Sequence, residues 1–368
     1  AAPGVEYFVR VEFRTREESP FLPAGWLAAW EQFRLPVHRP ATPANVADMP
    51  ALTVVESSDR ITVSGAGFSV GVDRSTGLLS DYEVDGRELL VSPFEPVFWR
   101  APTDNDYGNR MPQRQAVWKD AGRVRTLEGL EAKEIGAGEA RVDATLGLPA
   151  VNARLYLSYQ VFGSGDVVVT QRFVPPAATT GSGLPDIPRV GLRFALAPEF
   201  ADVAWYGRGP HENYSDRKTS APVGLYSASI EELYYPYIRP QENGNRTETR
   251  WVAFSDSTGV GLAAYGIPTL DWSALPYLQE DLDEGSTKRG RHTYDLRPRD
   301  LVSVHLDHKQ MGVGGDNSWG AQPLDAYRLP VREYSYSFRL SPLGPGRADA
   351  MGQSKRSLPV AESERGND

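Results

Sequence analysis

The chain has 368 residues, of which 40% are hydrophobic, and it carries a formal charge of −9 at pH 7. That share of hydrophobic residues is enough for a substantial core, and the length allows two or three domains or one large sandwich. The negative charge, without any Lys/Arg block, argues against a nucleic-acid partner and favours neutral ligands. There is no Cys, which excludes disulfides and thiolate metal sites and suits the cytoplasm, the predicted location.

The sequence also limits the type of structure. No apolar run approaches the roughly 20 residues of a membrane span, so we expect no membrane partner. With 35 Gly, 29 Pro and 10% aromatic residues, the composition favours many short strands and turns over long helices. The chain begins with Ala and has no signal-peptide pattern, which predicts a processed product or an excised piece.

The N-terminal stretch alternates apolar and charged residues over 5–14, which predicts a half-buried strand. A second apolar stretch, 26–35, follows a Pro-containing turn. Two strands cannot bury their face alone. Residues 1–36 are therefore predicted to be the end of a sandwich domain or an edge lent to the next domain, and residues 37–51 a Pro-rich linker.

From Leu52 onward the pattern is that of short strands separated by turn signals. It predicts an all-β fold, a large antiparallel sandwich over residues 52–343, without βαβ alternation or a repeat. The helical signals are short, at 113–121 and 229–233. Residues 344–368 lack periodicity and aromatic residues and are predicted to form a disordered tail.

Three polar loops, 98–108, 205–217 and 236–246, contain acidic residues that are candidates for a two-carboxylate glycosidase site. The candidates are Asp104, Asp106, Glu212 and Glu242. The alternative is that arginines pair with these acids and fasten the loops over a sheet, because buried carboxylates in loops are nearly always satisfied in this way. Those arginines are Arg100, Arg208, Arg217, Arg239 and Arg246.

A glycine-rich segment follows a short apolar strand and ends on Trp319. Glycines at 312, 314 and 315 permit a sharp turn that aims the indole at a ligand, whereas the alternative is a tryptophan that only plugs the core. A phosphate cradle is disfavoured, because the Lys-Ser/Thr ending and a following helix are missing. His305, Asp307 and His308 are compact potential metal ligands, but neighbouring strand residues face opposite ways, so no metal site is predicted.

Four of these segments together resemble the last domain of bacterial β-galactosidases of glycoside hydrolase family 2. They are Arg100-Ala-Pro-Thr-Asp-Asn-Asp106, Gly207-Arg-Gly-Pro-His-Glu-Asn-Tyr214, Tyr237-Ile-Arg-Pro-Gln-Glu-Asn-Gly244 and Met311-Gly-Val-Gly-Gly-Asp-Asn-Ser-Trp319. The stretch ending at Phe33 is similar to the end of the family's preceding immunoglobulin-like domain. The resemblance runs from about residue 4 to 343.

The resemblance implies a β-supersandwich related to the galactose-mutarotase fold, packed against a (β/α)₈ barrel that carries a retaining hydrolase site. The sequence contains no Asn-Glu dipeptide and no pattern of eight alternating helices, so no catalytic residue of this chain is predicted. No cofactor is expected in this chain, and Mg and Na of the complete enzyme are expected on the barrel. Trp319 is implied as a sugar-stacking wall, and Gly108 and Asn109 as the edge of the same pocket.

The expected function is that of a C-terminal domain or small subunit that shapes a galactoside pocket. The expected partners are β-galactoside sugars, the barrel portion or large subunit, and further copies of the complete enzyme. Two alternatives stay open: a stand-alone carbohydrate-binding or mutarotase-like module, and a scaffold for oligomer contacts. Residues 108–117 have few apolar anchors, which predicts a mobile loop beside the pocket.

Overall fold

The computed structural model describes residues 1–176, 183–317 and 320–360. It divides into two compact units, one formed by Ala1–Ala44 with Met351–Pro359 and the other by Asn45–Ala350 with the segment from Val360. Among the described residues, no helix is long and apolar enough to cross a membrane.

Strands dominate both units. In chain order the strands of the described residues are β1 (Phe8–Arg14), β2 (Leu27–Arg34), β3 (Thr42–Pro43), β4 (Thr53–Glu56), β5 (Arg60–Gly65), β6 (Phe68–Asp73), β7 (Leu79–Val84), β8 (Arg87–Glu88), β9 (Leu90–Val97), β10 (Thr126–Gly136), β11 (Glu139–Leu148), β12 (Ala153–Phe162), β13 (Val167–Val174), β14 (Arg189–Leu196), β15 (Asp202–Arg208), β16 (Val223–Ser229), β17 (Arg246–Ser255), β18 (Gly261–Leu275), β19 (Val302–Gln310), β20 (Tyr334–Leu343) and β21 (Arg356–Ser357).

The helices are short and lie in the connections. They are α1 (Asp104–Gly108), α2 (Met111–Arg114), α3 (Ile230–Leu233), α4 (Gln279–Leu282) and α5 (Ala350–Ser354), with 3₁₀ turns at Val46–Asp48, Ala116–Trp118, Pro149–Val151, Thr293–Asp295 and Asp325–Tyr327. Both predicted helical regions therefore contain helix. In the second, Ser229 caps α3 by accepting a hydrogen bond from Glu232 N, which satisfies an end donor that α3 cannot pair itself.

The first unit contains the antiparallel pair β1 and β2. Its apolar side chains are exposed, at 42% for Val9 and Val11 and 66% for Phe13. The strand pattern is as predicted, but among the described residues this face of β1 is largely exposed and not half-buried.

The C-terminal segment is ordered where a disordered tail over 344–368 is predicted, and for residues 350–357 that prediction is wrong. β21 pairs in parallel with β3, and Thr42 N donates to Lys355 O at 3.0 Å. Backbone hydrogen bonding of this kind needs no apolar periodicity, which is why the composition gave no signal. This pairing also adds Met351–Pro359 to the first unit, which ends at Ala44 and not at residue 36. Residues 361–368 lie outside the described residues.

The second unit confirms the all-β antiparallel fold. A 12-stranded sheet runs β10-β11-β12-β13-β20-β18-β17-β15-β16, with β19 joining β18 to β14 and β14 pairing with β9. A five-stranded sheet, β4-β5-β6-β7-β8, packs on it through one apolar core that includes Val70, Tyr82, Leu157 and Phe173. Burial of these side chains is the main stabilising contribution.

Strands β14 and β19 and the C-terminal end of β18 are buried on both faces. One face is apolar and carries Leu192, Trp272, Val304 and Leu306 into the core. The opposite face is polar and carries Arg189, Ser273, His305 and Asp307, all buried. The register places Asp307 beside Gly191 on one side and Asp271 on the other. This polar face lies under the loops that contain the sequence motifs.

Candidate functional site

Arg100 is fully buried between α1 and the glycine-rich segment. Its Nη2 and Nε donate to the two oxygens of Asp106 at 2.8 and 3.0 Å. The same guanidinium donates to Met311 O at 2.7 Å and Gly312 O at 3.0 Å. The rigid fork of donors suits such a two-sided contact. Arg100 therefore joins the first motif to the glycine-rich segment.

The turn at 312–315 is held from its other side by Asp216. The Asp216 carboxylate accepts hydrogen bonds from Val313 N at 3.1 Å and Gly314 N at 2.8 Å. A Cβ on Gly312 would lie 2.5 Å from Asp216 Oδ2, and Gly315 has a φ of 102°. Glycine is required at 312 by this close approach and at 315 by its backbone conformation. The loop is therefore a fixed turn, as its glycines predict.

The second and third motifs meet at Glu212. Its carboxylate accepts hydrogen bonds from Tyr237 Oη and from Gly244 N, the latter at 2.7 Å. Burial raises the pKa of Glu212, and the hydrogen bond from Gly244 opposes that rise. Through these two hydrogen bonds Glu212 joins the loop 205–217 to the loop 236–246.

Arg189 is the centre of a second buried charge cluster, on the polar face of the sheet. Its Nη2 donates to Glu242 Oε1 at 2.6 Å, and its Nε lies 3.2 Å from Asp307 Oδ2. One guanidinium thus faces two carboxyl groups and can compensate the charge of only one. Burial raises the pKa of Asp307 to about 8, although Arg189 opposes the rise. Asp307 is therefore largely protonated at neutral pH.

Gln310 connects the two arginine clusters. Its Nε2 donates to Glu242 Oε1 at 3.3 Å, and its Oε1 accepts from Arg100 Nη1 at 3.2 Å. Glu242 N also donates to Ala101 O at 3.2 Å. All four motifs therefore belong to a single buried hydrogen-bond network, which makes each loop depend on the others for its position.

One cavity on the polar face of the sheet has a volume of about 10 Å³ and is lined by Glu242, Gln279, Ser303 and His305 among others. That space holds about one water molecule, and a sugar ring does not fit. Burial, with Arg189 and Arg193, lowers the pKa of His305 well below its usual range, so the imidazole is neutral.

The three histidine and aspartate side chains of β19 do not converge on a metal. The His308 ring lies 5.5 Å from that of Tyr336, on the face opposite to His305 and Asp307. Within residues 1–176, 183–317 and 320–360, no three His, Cys, Asp or Glu side chains form a cluster that would hold a metal ion.

Two of the three residues predicted to bind substrate, Gly108 and Asn109, lie at the end of α1. Gly108 is exposed, whereas Asn109 is buried and its Oδ1 accepts from Arg114 Nη2 at 2.8 Å. A Cβ on Gly320 would lie 3.2 Å from Gly108 O, so the end of the glycine-rich segment touches Gly108. Trp319, the third predicted residue, lies outside the described residues.

The segment 108–117 is anchored more firmly than its sequence suggests. It forms α2 and the beginning of a 3₁₀ turn, with Met111, Pro112 and Gln115 buried. The few apolar residues of this segment are therefore packed, and its mobility in the complete enzyme stays a prediction. Met111 was overlooked because its neighbours are all polar or proline.

Arginines pair with most of the candidate acids, as the alternative interpretation predicts, but not every arginine named for this role does so. Asp106 pairs with Arg100, and Asp104 with Arg239 at 3.2 Å. Arg208 instead pairs with Glu248. Arg246 donates to two carbonyl oxygens, and Arg217 to Gly314 O.

Sequence reasoning missed Arg189 as the partner of Glu242, and it gave Asp216 no role. A signal was present for the buried cluster. Positions 303, 305 and 307 are polar in a strand whose alternate positions 302, 304 and 306 are apolar. Since strand residues alternate between faces, this pattern indicates a polar face that loops must cover. Pairing across distant strands has no such signal.

Comparison with known proteins identifies relatives for nearly the whole chain. Residues 64–340 match a family model described as β-galactosidase small chain. A β-galactosidase of Priestia megaterium is 36% identical over 92% of this chain, and that of Halalkalibacterium halodurans is 34% identical over 76%. The chain spans only 32% and 27% of the lengths of these relatives.

Among solved structures, a galactose 1-epimerase from Lactobacillus acidophilus covers 81% of this chain, with a TM-score of 0.41 and 12% sequence identity.

Proposed function

The chain belongs to the β-galactosidase small-chain family, and we propose that it is the C-terminal domain or small subunit of a β-galactosidase, where it shapes the galactoside pocket of a retaining glycosidase. The observation that carries this proposal is how the turn at 312–315 is held. Arg100 of the first motif and Asp216, just after the second, bond to its backbone, and Glu242 of the third motif accepts from Gln310, just before it. These contacts lie on the buried side of the turn, whereas residues 315–317 are exposed, which favours a surface held in place for a ligand.

The catalytic carboxylates are proposed to lie on the partner region and not on this chain. Asp106 and Glu242 each pair with a fully buried arginine, and Glu212 fastens two loops. A general acid or nucleophile needs access to the glycosidic bond, which such buried contacts deny. A separate (β/α)₈ region, as part of a longer chain or as a large subunit, would supply hydrolysis.

The proposed contribution of this chain is one wall of the pocket. By its position in the sequence, Trp319 is the residue we assign to stack on the apolar face of the sugar, and Gly108 and Asn109 form the neighbouring edge. Stacking on an indole excludes water and fixes orientation without charge, and is worth about 1–3 kcal/mol. The contact between Gly320 and Gly108 supports this grouping.

The test is Trp319→Ala in the longer enzyme, measured as KM for a nitrophenyl β-galactoside and as thermal stability. We expect KM to rise at least fivefold while the unfolding temperature changes little. Trp26→Ala is the matched control, because Trp26 is 52% exposed and belongs to the first unit. Loss of stability in Trp319→Ala without a change in KM would show a core tryptophan instead.

The cavity beside His305 does not serve the alternative of a stand-alone mutarotase-like module. Such an enzyme needs a sugar-sized site with its own acid and base. The cavity lined by Glu242, Ser303 and His305 has room for about one water molecule beside a neutral, buried His305.

A further inference from the structure

The linker at residues 37–44, which ends the N-terminal part of the first unit, is poor in backbone donors. Pro40 and Pro43 have no N–H group, and β3 consists of Thr42 and Pro43 alone. Each remaining N–H of the linker needs an acceptor on another part of the chain or in water. The conformation of the linker therefore depends on what it contacts.

The C-terminal segment supplies acceptors to this linker. Thr42 N donates to Lys355 O at 3.0 Å, and Ala44 N donates to Ser357 O at 2.8 Å. Donors that face the partner strand alternate along a parallel pair, so Pro43 lies at the position whose missing N–H costs no hydrogen bond to β21. The proline spacing of the linker thus fits its pairing with the C-terminal segment.

Gly4 shows how closely these parts of the first unit pack. It has a φ of 67°, and a Cβ at this position would lie 3.2 Å from Lys355 Cα and 3.4 Å from Ala41 Cβ. Its own N–H donates to Arg39 O at 2.9 Å. Glycine is required here by both the backbone conformation and the close approach. Residues near Gly4, the linker and the C-terminal segment therefore meet within the first unit.

The C-terminal segment is a separate element and not an extension of β20. Residues 345, 346, 348 and 349 are exposed, and they are followed by α5. Within the second unit, Tyr265 Oη donates to Ala350 O at 3.2 Å, whereas the residues from Met351 to Pro359 belong to the first unit. The segment lies beyond residue 340, where the match to the family model ends, so membership of the family does not imply it.

We infer that Met351–Pro359 is a clasp that fixes the conformation of the linker 37–44 by backbone pairing. The clasp is distant from the linker in sequence, and its removal leaves the core of the second unit intact, so it acts as a conformational device on the first unit. The inference goes beyond the proposed function and does not rest on it, because every residue that forms the clasp and its contacts belongs to the first unit.

The experiment measures backbone hydrogen exchange by mass spectrometry in the 368-residue chain and in two shortened chains. The chain that ends at Ala350 lacks the clasp and keeps the contact with Tyr265. In it we expect the amides of Thr42 and Ala44 to exchange about tenfold faster, because their acceptors are gone. The chain that ends at Val360 keeps the clasp and is the matched control, with exchange as in the full chain. Unchanged exchange in the chain that ends at Ala350 would overturn the clasp.

A pair of point variants decides the question if the chain that ends at Ala350 does not fold. Gly4→Ala places a Cβ against Lys355, whereas Gly25, also in the first unit, has a φ of 80° and among the described residues nothing lies within 4 Å of such a Cβ. Both substitutions strain the backbone, but only the first disturbs the clasp. We expect Gly4→Ala to accelerate exchange at Thr42 and Ala44 several-fold and Gly25→Ala to leave it unchanged, with the amides of β12 protected in both. Equal acceleration in the two variants, or none in either, would overturn the clasp.

Discussion

Arg100 and Asp106 are both withdrawn from water, so the charge of each is compensated mainly by the other. Removing one member of such a pair leaves an uncompensated buried charge. We expect Arg100→Ala to lower the free energy of unfolding by about 3–5 kcal/mol, measured by urea denaturation of the chain. Arg123→Ala, at an exposed pair with Asp120, should change it by less than about 0.5 kcal/mol. Equal losses of unfolding free energy in the two variants would contradict a stabilising role of the buried Arg100–Asp106 pair.

Asp307 gives the chain a pH dependence of its own. Its folded pKa of about 8 lies above the value of about 3.9 for an unfolded Asp, so the folded state binds the proton more strongly. The carboxyl group therefore stabilises the fold fully below pH 4 and loses that contribution as the pH rises to 8. Arg189, Glu242 and Asp271 are the charged groups that act on it.

Asp307→Asn replaces the protonated acid with a neutral group of the same shape. Relative to the wild type, the variant should be equally stable near pH 4 or less stable, and should gain in relative stability as the pH rises to 8. Urea unfolding at pH 4, 6 and 8 measures this difference, with Asp120→Asn as the exposed control. A relative stability of Asp307→Asn that is constant or falls with pH would show that Asp307 is ionised beside Arg189.

At the scale of elements, the turn at 312–315 depends on Asp216, which accepts two of its backbone donors. Asp216→Ala leaves both N–H groups without that acceptor, so the turn should shift or loosen. We expect KM for a galactoside to rise several-fold in the longer enzyme, with kcat less affected. Asp216→Asn keeps one carbonyl acceptor and should restore part of the binding. If KM is unchanged in Asp216→Ala, the turn at 312–315 is not part of the galactoside pocket.

The strands were predictable because their signal is local. In β5, Ile61 and Val63 are buried and Thr62 between them is not, which is the alternation that the sequence displays. β21 was missed because it is two residues long and exists through its pairing with the distant β3. α1 has a local signal, the capping box in which Thr103 and Asp106 bond to each other's backbone, but it is only five residues long.

The site was predictable only in part, for a related physical reason. Glycines and motif acids marked the loops, but the partners of Glu212 and Glu242 come from residues 25 or more positions away. Pairwise contacts of this kind follow from the fold and leave no periodic trace in the sequence. Arg189 illustrates the point, because it reads as an ordinary charged residue at the start of a strand.

At the scale of the whole molecule, β-sheets hold the motif loops at a surface, and we propose that the chemistry lies on another region. The five-stranded sheet and the 12-stranded sheet share one apolar core, and the polar face of the larger sheet fixes the loops. The buried arginines explain why the acidic residues of the motifs serve structure. The proposed role of these acidic residues in catalysis is indirect, because they fix the loops that shape the pocket.

The most direct test of this division of labour is the hydrolysis of a nitrophenyl β-galactoside by the purified 368-residue chain and by the longer enzyme. We expect no turnover by the chain alone and turnover by the longer enzyme. Glu212→Gln in the longer enzyme should leave its rate within a few-fold of the wild-type rate. Turnover by the isolated chain, abolished by Glu212→Gln or Glu242→Gln, would contradict the account and assign the catalytic carboxylates to this domain.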